Sequence, residues 1–119
     1  MKDIFWILMK IWHKSLRKKF KKYSAENQLL MICNELNRAN NNFEIGNEYK
    51  NSLERSLELF YFLIEDEKWS GKLKEILRVR DLVAELYIKD KKVRTDFLQK
   101  QIIVLNSNAW KLMKNHYNK

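Results

Sequence analysis

A chain of 119 residues with 45% apolar and 13% aromatic side chains is sized for one globular domain with one core, far from the composition of a disordered tail. It has no proline and only two glycines, Gly46 and Gly71, so the turn punctuation that sandwiches and barrels require is missing and all-β architecture is excluded. The net charge of +9 is uneven, with eight Lys/Arg against one acid in residues 1–24, eight against twelve in 25–85 and eight against two in 86–119, which points to an anionic partner.

Asp3 to Lys22 reads as a helix with Asp3 as its N-cap and Ile4, Phe5, Leu8, Ile11, Trp12, Leu16 and Phe20 on one side. Its apolar run Ile4–Met9 ends at Lys10 after six residues, too short for a signal peptide or a membrane span, so a cytoplasmic protein is expected. Lys14, Arg17, Lys18, Lys19, Lys21 and Lys22 gather in the last turns. The helix macrodipole accounts for one or two such cations, and the remainder repel one another unless an external anion is present.

Ser24 supplies the N-cap half of a capping box, and a second helix is expected from Ala25 to Ala39 on Leu29, Ile32, Cys33 and Leu36. Asn40-Asn41-Asn42 reads as a loop. From Gly46 to Glu67, Tyr49, Leu53, Leu57, Phe60, Tyr61 and Ile64 recur at helical spacing. Leu73, Ile76, Leu77, Val83, Leu86 and Tyr87 repeat the pattern from Gly71 to Ile88, with Glu75, Arg78, Asp81 and Glu85 turned mostly outward. The polar link Asp66–Gly71, with Ser70 as the expected N-cap of the second helix, favours an antiparallel hairpin.

Lys89-Asp90-Lys91-Lys92 reads as a surface connection or a charged turn within a longer helix. From Val93 to about His116 a further helix is expected, on the seam Leu98, Ile102, Leu105, Ala109 and Leu112, with Asn106, Ser107 and Asn108 marking a bend or a polar contact. The expected fold is all-α and single-domain: an antiparallel four-helix bundle over 25–119, with an extra basic amphipathic helix in 1–24.

Few residues suggest chemistry. His13 and His116 lie near opposite ends without Cys, His or carboxylate at ligand spacing, so no metal or cofactor is expected. Glu54, Glu58, Glu65, Asp66 and Glu67 read as a solvated helix face, with Glu54 and Glu58 paired by Lys50 and Arg55. With no glycine-rich phosphate loop either, the chain is not expected to be an enzyme. Cys33, the lone cysteine, reads as a small core residue. Trp6, Trp12, Trp69 and Trp110 read as packing residues more readily than base-stacking platforms, with Trp12 the best candidate for stacking.

The basic run Lys10 to Lys22 has three readings: phosphate contacts, an interfacial membrane helix with Ile4, Phe5, Trp6, Leu8 and Trp12 buried in lipid, or a plain solvated face. The second cluster, Lys89, Lys91, Lys92 and Arg94, favours nucleic acid. The candidate binding set is therefore Lys10, Lys14, Arg17, Lys18, Lys19, Lys21 and Lys22 with Lys89, Lys91, Lys92 and Arg94, to which Arg78 and Arg80 are added by the resemblance that follows.

From Asn27 onward three features stand in order: Phe43-Glu44-Ile45-Gly46-Asn47 opening a long Leu-rich helix, Leu73 to Ile88 with Arg78 and Arg80 near its middle, and Asn108-Ala109-Trp110-Lys111-Leu112 near the end. This order resembles the four-helix-bundle family of accessory variability proteins of diversity-generating retroelements, and their relatives encoded in ribosomal RNA intervening sequences. The chain differs in lacking a Phe-Pro-Lys turn, in having Asn108-Ala109 where glycines are usual, and in its added basic helix. The resemblance implies a basic homopentameric barrel that binds nucleic acid and a reverse transcriptase without catalysis of its own, with Arg78, Arg80 and Trp110 as the corresponding positions. Together these readings lead to a non-enzymatic nucleic-acid-binding accessory subunit of a reverse transcriptase or other nucleoprotein complex, on DNA, RNA or a hybrid. The alternatives are a peripheral membrane protein held by the first helix and a protein-binding subunit of a small phage or mobile element.

Overall fold

The computed structural model describes the backbone of residues 14–89 and 92–117, and the side chains of 16–89 and 92–112. Six α-helices account for most of it: α1 (Lys14–Lys22), α2 (Ala25–Asn41), α3 (Glu48–Glu65), α4 (Leu73–Lys89), α5 (Asp96–Ile103) and α6 (Ser107–Tyr117). A 3₁₀ helix, Glu67–Lys72, joins α3 to α4, and no strand occurs among the described residues.

Side-chain pairs give the packing directions. Gln28 reaches Asp66, Glu35 meets Arg55 and Phe43 packs on Tyr49, so α2 and α3 run antiparallel. The Arg80 guanidinium lies 5.7 Å from the Tyr61 ring centroid and the Lys50 ammonium 5.0 Å from that of Tyr87, so α4 returns antiparallel to α3. Asn40 bonds Asp96 while the Cys33 Sγ contacts the Gln99 carbonyl at 3.7 Å, placing α5 antiparallel to α2.

α3 is the central element. Leu53, Leu57, Phe60 and Tyr49 are buried as their spacing predicts, but Ser52, Ser56, Glu58, Leu59, Phe62 and Leu63 are buried as well. A helix in contact with α1, α2, α4 and the 3₁₀ turn has little face left for water. The expected stripe was thus too narrow, and Tyr61 and Ile64 within it are only half-buried.

Boundaries moved where tertiary contacts outweighed local preference. Ser24 does cap α2, its Oγ accepting from the Asn27 amide at 3.3 Å. The helix then runs through Asn40 and Asn41 instead of stopping, because Asn40 is buried and bonded: its Oδ1 accepts from the Thr95 amide at 2.8 Å and its Nδ2 donates to Asp96 at 3.2 Å. Gly46 belongs to the turn before α3 and not to the helix, since its φ of +44° is the left-handed region that glycine adopts without strain. Ser70 caps nothing; the cap of this turn is Asp66, whose Oδ1 accepts from the Lys68 amide at 3.1 Å, and the 3₁₀ helix passes directly into α4.

The single long helix expected from Val93 is two. α5 ends at Ile103, the chain turns at Val104–Asn106, and the Asn106 side chain accepts from the Ala109 amide at 2.9 Å to open α6. Leu98, Ile102 and Ala109 are buried, but the break resets the helical phase and leaves Leu112 exposed.

Candidate nucleic-acid interface

α1 is amphipathic in its simplest form. At 100° per residue, Lys18, Lys19, Lys21 and Lys22 fall within an arc of about 160° whose centre lies opposite Phe20. Phe20 is fully buried, its ring 5.9 Å from that of Phe62 on α3, and all four lysines are exposed. Packing of one aromatic side chain therefore decides which way the lysines face.

Arg17 is held apart from this set. Its Nε and Nη2 donate to the two carboxylate oxygens of Glu65 at 2.7 and 2.9 Å, a bidentate pair that fastens α1 to α3. An arginine engaged in this way anchors the helix and does not add to its outward charge.

A buried network fixes the far end of α1. The Gln28 Nε2 donates to the Phe20 carbonyl at 2.7 Å and to Asp66 Oδ2 at 3.0 Å, while its Oε1 accepts from the Trp69 Nε1 at 2.7 Å. Lys68 then donates to the carbonyls of Lys21 and Tyr23 at 3.3 and 3.0 Å, and to Asp66 Oδ2 at 3.0 Å. Carbonyls at a helix C-terminus lack intrahelical partners, so a lysine aimed at them is favourable. Burial raises the Asp66 carboxyl, but the hydrogen bonds from Gln28 and Lys68 outweigh it and hold the group below the ordinary carboxylate value.

The other sequence candidates scatter. Arg78 is exposed on α4; Arg80 pairs with Asp81 at 2.8 Å and lies over Tyr61. Lys89 pairs with Glu85 one turn earlier, and Arg94 with Asp96 at 2.8 Å. Lys92 is exposed in the connection before α5. Lys10 and Lys91 lie outside the described residues, as does the side chain of Lys14, so the fourfold lysine face of α1 is the densest group of outward cations the described part of the set contains. Of the tryptophans, Trp69 is buried in the Gln28 network, Trp110 is part-exposed on α6, and Trp6 and Trp12 lie outside the described residues.

Of the acidic stretch, Glu67 is exposed as its sequence suggested, but Glu58, Glu65 and Asp66 do not form a solvated face. Glu35 on α2 accepts from Arg55 at 3.0 Å and Arg38 at 3.2 Å, and Glu65 and Asp66 are engaged as above. Glu58 is only 4% exposed and borders a cleft of about 180 Å³ with Glu35, Arg38, Arg55, Leu16, Met31, Asn34 and Leu59. Burial pushes its carboxyl up to about 7, helped by Glu54 and Glu35 and opposed by Arg55. The signal for this was present: Glu58 interrupts the run Leu57–Ile64, which is apolar around every side of the helix.

Among the described residues, no group of three His, Cys, Asp or Glu side chains is placed to hold a metal, and no helix is long and apolar enough to cross a membrane. Cys33 is buried and its thiol is pushed up to about 12 by desolvation, as befits a packing residue. No family profile, curated protein or solved structure matches the chain. The site rests on its own geometry.

Proposed function

We propose that this protein is a non-enzymatic helical scaffold that binds nucleic acid through the outward face of α1. The observation that carries this is the lysine quartet Lys18, Lys19, Lys21 and Lys22, exposed together on a helix that Arg17 ties to the carboxylate of Glu65. Glu35, Glu65 and Asp66 in the middle of the chain are held by internal ion pairs and hydrogen bonds and not by the lysine face. Phosphate neutralisation by such a face releases counterions, and affinity then falls steeply with salt.

In the narrower form of this reading, α2 to α5 act as a four-helix-bundle scaffold, and the protein is an accessory subunit of a reverse transcriptase or similar nucleoprotein complex. It assembles with copies of itself, as a pentamer in the family it resembles. Arg78 on α4 and Lys92 before α5, both exposed, would add to the nucleic-acid contacts, whereas Arg80, Lys89 and Arg94 are paired with neighbouring carboxylates and contribute less.

The test is anisotropy binding to short DNA, RNA and hybrid oligonucleotides over a salt series, with the solution mass determined in parallel. Replacing the quartet by glutamine is expected to weaken binding and lower the salt slope by up to about 3.6 units, at roughly 0.7–0.9 per lost phosphate contact. Unchanged affinity in that variant refutes the assignment. Flotation with anionic vesicles, in place of nucleic-acid binding, would replace it with the peripheral-membrane reading.

A further inference from the structure

Tyr23 stands between α1 and α2, and 36% of it is exposed. Its ring packs edge-on against Phe20, with centroids 6.4 Å apart and planes at 76°, and Phe20 is itself immobilised in the core against Phe62. The backbone beneath the ring is fixed too, because Lys68 uses its three ammonium donors on the Lys21 and Tyr23 carbonyls and on Asp66. Lys68 is thus a structural clamp, and the exposed cations that precede the ring directly in the chain are Lys21 and Lys22 at the end of α1. Glu26 and Glu67 are the closest carboxylates in sequence that the clamp leaves unused.

A rigid, part-exposed aromatic ring flanked by lysines is the composition of a base-stacking platform. Bases within a duplex already stack on one another, whereas an unpaired base offers its π-face to a side chain. We propose that Tyr23 is such a platform, and that the basic face of α1 takes single-stranded nucleic acid in preference to duplex. The inference rests on the nucleic-acid reading above and specifies its ligand.

The experiment compares the protein with its Tyr23→Phe and Tyr23→Ala variants. Each is titrated against a labelled pyrimidine single strand and a blunt duplex of matched length, after far-ultraviolet circular dichroism has shown that it is folded. The wild type is expected to bind the single strand more tightly, Tyr23→Phe to match it, and Tyr23→Ala to lose about 5- to 100-fold on the single strand with little change on the duplex. Equal affinity of the wild type for both ligands, or full single-strand affinity in a folded Tyr23→Ala, overturns this inference while leaving the basic face in place. Absence of binding to either ligand overturns both.

Discussion

Replacing Gln28 by leucine tests the network that holds α1 to the rest of the molecule. Gln28 is fully buried and satisfies three groups: the Phe20 carbonyl, Asp66 and the Trp69 indole N–H. Leucine fills a similar volume but leaves the Trp69 N–H without its partner, at about 1–3 kcal/mol for a stranded polar group, whereas the Phe20 carbonyl still accepts from the Tyr23 amide at 3.2 Å. Asp66 keeps Lys68 and adds little to the loss. With the lost bond to the Phe20 carbonyl roughly offset by the better burial of leucine, the net destabilisation is about 1–3 kcal/mol, equivalent to a fall in Tm of roughly 4–12 °C for a domain of this size. Urea unfolding followed at 222 nm gives the difference directly if the m-value is unchanged. Pairing Gln28→Leu with Trp69→Phe in a double-mutant cycle isolates the indole hydrogen bond, because the double variant strands one group fewer. A Gln28→Leu protein within about 0.5 kcal/mol of wild type would refute the claim that this glutamine organises the α1 end of the fold.

Two further changes probe other parts of the structure. Glu58 has a folded-state pKa raised from 4.5 to about 7, so the folded protein binds its proton more tightly than the unfolded chain does, and stability falls as pH rises from about 4.5 to 7. Glu58→Gln removes that dependence; its stability relative to wild type is expected to grow by up to about 3 kcal/mol between pH 5 and pH 8, and parallel stability curves across that range would contradict the burial argument. Thr95 fastens α5 to α2, its Oγ1 donating to the Leu36 carbonyl at 2.6 Å and accepting from Gln99 at 3.2 Å. The near-isosteric Thr95→Val should cost about 1–3 kcal/mol and speed amide exchange in α5 ahead of α3, whereas uniform exchange changes across the chain would show that this contact does not hold α5 locally.

Sequence alone determined that the chain is helical, where most of its helices lie and that its first basic segment is amphipathic. Each of these follows from spacing within one segment: Leu53, Leu57 and Phe60 must share a side of α3, and Lys18, Lys19, Lys21 and Lys22 must face away from Phe20 whatever surrounds them. Only the tertiary structure decided which polar residues are inside. Gln28, Asn40, Thr95 and Glu58 look like surface residues in a linear reading, because the groups that make their burial tolerable lie on other helices: Trp69 and Phe20, Asp96, Leu36, and the walls of the α2–α3 cleft. The same limit applies to charge. Arg17 and Lys68 are cations of the same kind as Lys18 and Lys72 in sequence, yet one is fixed by Glu65 and the other by the end of α1. The partner that converts a surface charge into a structural one comes from 45 or more residues away in the chain, a separation no local pattern encodes.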